Sequence, residues 1–176
     1  GMRPHTLFTL GGSYQYRYYF ERVLANTSFG YTWQHSRRAS NQLLPVEMTF
    51  VRMLDIDDAF AARIASTGDL RLKYQYSSHF ILDARYDYAY SNQQYGTRKN
   101  FTNIHATLES AGNLLAATAP VLGATADDNG ILQLLGVPFA QYVRANLELT
   151  RYIYFADRST FVARLLLGIG IPYGNS

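Results

Sequence analysis

A two-residue rhythm runs through this chain, and it is cleanest between Phe80 and Tyr90. Phe80, Leu82, Ala84, Tyr86, Tyr88 and Tyr90 fall on one face, and Ile81, Asp83, Arg85, Asp87 and Ala89 on the other. An extended chain turns successive side chains to opposite faces, so this segment has an apolar side and a charged side. Charges turned into a small dry core carry a heavy desolvation cost. Charges turned toward a wet lumen, with the apolar side against lipid, carry no such cost. The pattern predicts the wall of a transmembrane β-barrel.

The same alternation marks seven strand candidates in all. Residues 6–18 place Phe8, Leu10, Tyr14, Tyr16 and Tyr18 opposite Thr9, Ser13, Gln15 and Arg17. Residues 22–34 place Val23, Ala25, Thr27, Phe29, Tyr31 and Trp33 outward and Asn26, Ser28, Gly30, Thr32 and Gln34 inward. Residues 44–53 alternate Val46, Met48 and Phe50 with Glu47 and Thr49, and residues 78–92 hold the segment described first. Residues 100–111 set Thr102, Ile104, Ala106 and Leu108 against Asn103, His105, Thr107 and Glu109. Residues 141–154 set Val143, Ala145, Leu147, Leu149 and Ile153 against Tyr142, Arg144, Asn146, Glu148 and Thr150. Residues 160–171 set Phe161, Ala163, Leu165, Leu167 and Ile169 against Val162, Arg164, Gly168 and Gly170. Candidates of about 10–14 residues are long enough to cross a tilted bilayer path, where soluble strands are usually about 5–6. The expected fold is an all-β antiparallel meander, one domain over residues 1–176.

The connections divide into two ends. Residues 19–21, 54–77 and 112–138 lie at one end, and residues 35–43, 93–99 and 156–159 at the other. Two of the first group are long, and outer-membrane barrels carry long loops outside and short turns inside. The first group is therefore expected outside the cell. Asp57, Asp58 and residues 59–65 predict a helix with a charged N-terminus, and residues 113–122 predict a second that stops near Gly123. Residues 71–76 are expected to extend the next strand, and residues 124–130 to form a polar, mobile stretch.

Composition agrees with this placement. Fifteen tyrosines and ten phenylalanines stand against one tryptophan. Tyrosine suits strands and suits the membrane boundary, where its ring is in apolar surroundings and its hydroxyl stays wet. The same bias also fits a soluble Tyr-rich β-sandwich. There is no cysteine, so no disulfide framework and no cysteine nucleophile, and a net charge of +3 with scattered basic residues does not argue for nucleic acid. No apolar run reaches the length of a transmembrane helix, about 18 residues. The start lacks an apolar signal core. Gly1 before Met2 reads as a residue left by cloning, and the chain reads as a mature or excised piece.

Chemistry-bearing clusters are sparse. Asp55, Asp57 and Asp58 lack the glycine-centred loop and distal glutamate of an EF-hand and read as a helix N-terminus. His5, His35, His79 and His105 show no paired ligand spacing. No serine sits in a GxSxG elbow. Gly11-Gly12 and residues 168–170 are not phosphate loops; they read as small strand positions. No catalytic, cofactor or metal residue is expected. The inward charges are Arg17, Glu47, Asp83, Arg85, Asp87, Glu109, Arg144, Glu148 and Arg164. Their mixed signs make a poor selectivity ring and fit general solvation of a barrel interior.

Four stretches carry a resemblance: GIGIPYGNS (168–176), ESAGNLL (109–115), GVPFAQY (136–142) and GYTW (30–33). In them the chain resembles the barrel domain of the BamA/TamA outer-membrane assembly family, also called the bacterial surface antigen family, in its Bacteroidota form. The resemblance implies a central piece of a barrel of about sixteen strands, preceded in the parent by POTRA repeats, in the bacterial outer membrane. It implies partners in outer-membrane lipid and in unfolded outer-membrane protein clients. The family's RG motif, its seam and its terminal strand fall outside these residues, so no functional residue of the family is carried over. Two other classes fit the strand pattern: a small complete barrel acting as a lipid-modifying enzyme, and a passive porin. A cut wall has two open strand edges, through which the isolated piece is expected to self-associate.

Overall fold

The computed structural model describes residues 3–68, 72, 75–94, 96, 99–119, 121, 123–126, 131–134, 137–156 and 159–175. In chain order these form β1 (His5–Arg17), β2 (Phe20–Ser36), β3 (Ala39–Ile56), α1 (Asp58–Thr67), β4 (His79–Ser91), β5 (Phe101–Ala111) and α2 (Asn113–Thr118). Three short strands follow, β6 (Thr125–Ala126), β7 (Leu132–Leu134) and β8 (Val137–Pro138), and then β9 (Tyr142–Ala156) and β10 (Ser159–Pro172). The seven long strands make one sheet in the order β1-β2-β3-β4-β5-β9-β10, every neighbour antiparallel. The three short strands make a second, small sheet.

Register fixes the faces, because residues directly opposite in neighbouring strands share a side. One row of partners runs Thr6, Tyr31, Leu43, Tyr86, Leu108, Ala145, Ile169 across the whole sheet. A second runs Arg85, Glu109, Arg144, Gly170 on the opposite face. Each long strand therefore turns the face assigned to it by alternation to the same side as its neighbours. The rows are strongly inclined. The first begins at the second residue of β1 and arrives at the eleventh of β10, although both strands start at the same end. A climb of nine residues in six steps, at about 3.3 Å per residue and about 4.8 Å per step, is a strand tilt of roughly 45°.

A single tilted layer leaves both faces open. The accessible surface is 12157 Å², against about 8,700 Å² for a compact monomer of this mass. Few side chains are fully buried, and several of those lie in the loops: Ile64, Leu115, Ala119, Val137 and Phe139. Within the sheet the largest fully enclosed side chain is Leu44, at a bulge. There Leu44–Pro45 oppose Gly30, and the ladder shifts register on both sides of β3. Pro45 has no N–H to give a neighbour, and a bulge lets it sit in a strand. A side chain at Gly30 would run into the Leu43 carbonyl and Leu44, so glycine is required by close approach. The extra residue restores the phase: Ala39, Asn41 and Leu43 face outward before it, and Val46, Met48 and Phe50 after it.

That bulge corrects the strand limits read from sequence. The expected strand 44–53 is the middle of an 18-residue β3, and the expected connection 35–43 shrinks to the turn Arg37–Arg38. The stretch 71–76 does not extend β4: Leu72 and Gln75 are helical and Tyr76 is in a turn, while residues 71, 73 and 74 lie outside the described residues. The second helix ends at Thr118. The polar stretch 124–130 holds β6, and residues 127–130 lie outside the described residues.

The long loops share one end of the sheet with the β1–β2 turn, as the alternation of connections predicts. α1 begins there for a local reason: the Asp57 carboxylate accepts a bond of 2.9 Å from the Phe60 amide, and Gly68 closes the helix at φ 68°. Of the acidic cluster, Asp57 and Asp58 form the expected helix start, while Asp55 belongs to β3. Phe60 stacks on Tyr19 at 5.4 Å and meets Tyr76 edge-on at 5.1 Å, which docks the helix on the turn. Asp57→Ala is expected to lower the stability of this loop by about 1 kcal/mol, read as faster amide exchange at Phe60.

Candidate functional site

Two features stand out: a charged sheet face, and a polar clasp at the looped end. All nine inward charges named from sequence lie on one face of the sheet. Arg17 stands at the looped end of β1, and Glu47 and Asp83 face each other across β3 and β4. Arg85 reaches Glu47 at 3.1 Å and Asp87 at 3.2 Å. Glu109 is 3% exposed and is held by the Tyr142 hydroxyl at 2.6 Å and by Arg144 at 2.5 Å. Arg164 pairs with Glu148 at 2.9 Å. Asp87 also accepts a bond from Thr107 at 2.7 Å, with His105 at 3.8 Å.

Most of these contacts join neighbouring strands and pair opposite signs, although Arg85–Asp87 lies within β4 and the like charges of Glu47 and Asp83 stand opposite each other. A face of mixed, largely paired signs builds no field of one sign, so it gives no ring to select cations or anions. Toward the short-turn end the same face carries a trough of about 390 Å³ lined by Gln34, Ser40, Asn103, His105, Glu148 and Thr150. Arg37, Arg38, Ala39 and Ile104 also border it, so its lining mixes hydroxyls, amides and charges with apolar groups. Among the described residues no group of three or more His, Cys, Asp or Glu is placed to hold a metal ion.

The opposite face is apolar and open. Phe8, Leu10, Phe29, Tyr31, Leu108, Leu147, Phe161, Leu165, Leu167 and Ile169 are all exposed on it. Soluble monomers seldom expose a contiguous apolar patch beyond about 300–600 Å², and this one spans seven strands. The charges that do face this way sit toward strand ends. Glu21, Arg52 and Asp55 are near the looped end, and Arg151 is near the short turns, bonded to Thr102 at 2.6 Å. Tyr86 also faces outward, and its hydroxyl is satisfied by the buried Asn41 side chain at 2.7 Å.

The clasp is the part that residue patterns missed. Asn175 reaches back to the small sheet, taking a bond from the Leu132 amide at 2.6 Å and giving bonds to the carbonyls of Leu132 at 2.9 Å and Phe139 at 2.6 Å. Gln141 accepts from the Asn175 amide at 2.9 Å, and its own carbonyl accepts from the Tyr173 amide at 3.0 Å. The Tyr173 hydroxyl and the Asn113 carboxamide are bonded at 2.6 Å. Gly112, at φ 73°, passes so close to the Ala140 carbonyl that no side chain fits, and its amide bonds to Leu82 at 2.8 Å. The described residues of the ESAGNLL, GVPFAQY and GIGIPYGNS stretches (109–115, 137–142 and 168–175) thus meet in space. GYTW stands apart, in β2 at the bulge.

Both sheet edges are single-sided. β1 pairs with β2 and β10 with β9. No protein-family model, no curated protein and no solved structure matches this chain.

Proposed function

We propose that this chain is a section of the wall of a bacterial outer-membrane β-barrel, and that its parent belongs to the BamA/TamA assembly family. In this reading the apolar face meets hydrocarbon, the ion-paired face lines a wet lumen and the looped end faces the cell exterior. The observation that carries it is the division into an open apolar face and a charged, largely ion-paired face over seven long strands, inclined as barrel strands are. Outward charges confined toward strand ends agree with a hydrocarbon band between two polar margins.

The assembly role rests on the resemblance of the three stretches that form the clasp. Segments far apart in sequence that share one polar network are a coherent structural unit, which supports reading them together. The wall section performs no catalysis and takes no cofactor. Lipid is its direct partner, and unfolded outer-membrane proteins are clients of the parent. Client strands would add to an exposed sheet edge of the parent, a form of β-augmentation. Depleting the parent gene in its bacterium is the test. Folded, heat-modifiable outer-membrane proteins are expected to fall severalfold. Unchanged levels, or a gene with no RG-containing loop and closing strand after Ser176, would contradict the assembly role.

A further inference from the structure

We propose that the short-turn margin of the sheet binds anionic phospholipid: a belt of cations without acidic partners takes the phosphate, and the apolar face above it takes the acyl chains. The inference rests on the membrane-wall reading and adds which lipid the wall prefers, and at which end. The signal is an uneven sharing of charge. At the short-turn end the described residues 34–42, 88–94, 96, 99–104, 149–156 and 159–163 hold Arg37, Arg38, Lys99 and Arg151, and no Asp or Glu. In sequence the same connections add Arg98, Asp157 and Arg158, which keeps the sum positive. The looped end mixes signs: Glu21, Asp55, Asp57 and Asp58 stand there with Arg17, Arg22, Arg52 and Arg63. Among the described residues the ion pairs engage Arg85, His105, Arg144 and Arg164, and none of the four cations of the belt.

Hydrogen bonds string these cations along one margin. The Ser91 amide donates to the Arg38 carbonyl at 2.8 Å. The next residue, Asn92, gives its amide to the Thr102 carbonyl at 3.3 Å and takes the Thr102 amide at 2.6 Å. Arg151 donates to the neutral Thr102 hydroxyl at 2.6 Å. Asn100, beside Lys99, accepts from the Tyr154 amide at 2.8 Å. Arg37 and Arg38 are exposed at the tip of their turn and also border the inward trough. From a tip, a long side chain reaches the membrane surface while its stem lies along apolar groups. Directly above runs the outward row Tyr90, Ile104, Leu149, Leu165, and Trp33 belongs to the next outward row. An amphiphile fits this junction, whereas a soluble anion gains nothing from the apolar row. A zwitterionic headgroup brings its own cation to compete, but each Lys or Arg near an anionic bilayer surface favours binding about fivefold.

Trp33 is the one tryptophan of the chain, so its fluorescence reports the lipid beside this margin. The whole chain is placed in phosphatidylcholine vesicles that carry a minor fraction of either brominated phosphatidylcholine or brominated phosphatidylglycerol. From the quenching of Trp33, phosphatidylglycerol is expected to occupy the neighbouring site at least about fivefold more strongly than phosphatidylcholine. Salt at about 1 M, where screening reaches within about 3 Å, should remove most of that preference. The variant R37Q/R38Q/K99Q/R151Q should still be quenched by both lipids but without preference, while Arg52→Gln, at the looped end, should keep the preference of the native chain. Equal occupancy by the two lipids in the native chain, or a preference that survives the four substitutions, would overturn the inference. If that variant loses heat-modifiable mobility, R37Q/R38Q/K99Q, which changes only exposed side chains, replaces it and should lose most of the preference. No quenching by either lipid would sink the wall reading itself; quenching without preference counts against the cation belt alone.

Discussion

Placing an arginine at the middle of the outward face, Leu149→Arg, is expected to destabilise the membrane-inserted protein by about 2–4 kcal/mol. Leu149 is the eighth of the fifteen residues of β9 and lies between Ile104 of β5 and Leu165 of β10. Every neighbour in that row is apolar, so a guanidinium there has no protein partner and must leave water for hydrocarbon. The matching change on the other face, Asn146→Arg, puts the same charge among Thr107, Gly168 and water, and is expected to cost under about 1 kcal/mol. Denaturant unfolding in lipid vesicles measures both. A soluble fold with the apolar face packed on a second layer would also suffer from Leu149→Arg. It would not show the depth dependence expected in a bilayer: the same substitution at Phe161, near the short turns, should cost about 0–1 kcal/mol.

The second large effect belongs to the clasp. Asn175→Leu keeps the size of the side chain and removes all three bonds it makes to Leu132 and Phe139. Each such bond is worth about 0.5–1.5 kcal/mol, and half-buried groups left unpaired add to the loss, so about 2–4 kcal/mol of local stability should go. The loss is local because, among the described residues, the small sheet's strands pair with one another, β6 with β7 and β7 with β8, and a single isolated bridge, Phe139 to Phe80, ties them to β4. Amide exchange at Leu132 and Gln133 should accelerate by about 30-fold to 1,000-fold, while Leu108 and Leu147 in the large sheet stay protected. Equal acceleration in both sheets would mean that the clasp supports the whole fold.

The large sheet was legible because each strand meets two different surroundings, and that difference is written with a period of two. Phe80 to Tyr90 is the plain case, and all nine inward charges fell on the side that the alternation assigned. The partners of those charges were not legible. Glu109 finds Arg144 rather than Arg164 because β5 pairs with β9 in one register, and register depends on strands about 30 residues apart. The first half of β3 was hidden by Pro45, which looks like a strand breaker until the bulge opposite Gly30 absorbs it. The small sheet was hidden because strands of two or three residues are too short to show any period. Asn175 was hidden for a third reason: a lone amide becomes informative only when folding brings Leu132 and Phe139 within its reach.

Which face of the sheet meets lipid decides whether this chain is a membrane wall, and spin labels along β4 read it most directly. Because the chain has no cysteine, a label can be placed at each position from Ile81 to Ala89 in turn, in vesicles. Labels at Leu82, Ala84, Tyr86 and Tyr88 should be relaxed by oxygen dissolved in the bilayer, and labels at Ile81, Asp83, Arg85 and Asp87 by a water-soluble nickel complex, alternating residue by residue. Alternation of the opposite phase, or water access at every position, would contradict a membrane wall and leave an ordinary soluble sheet.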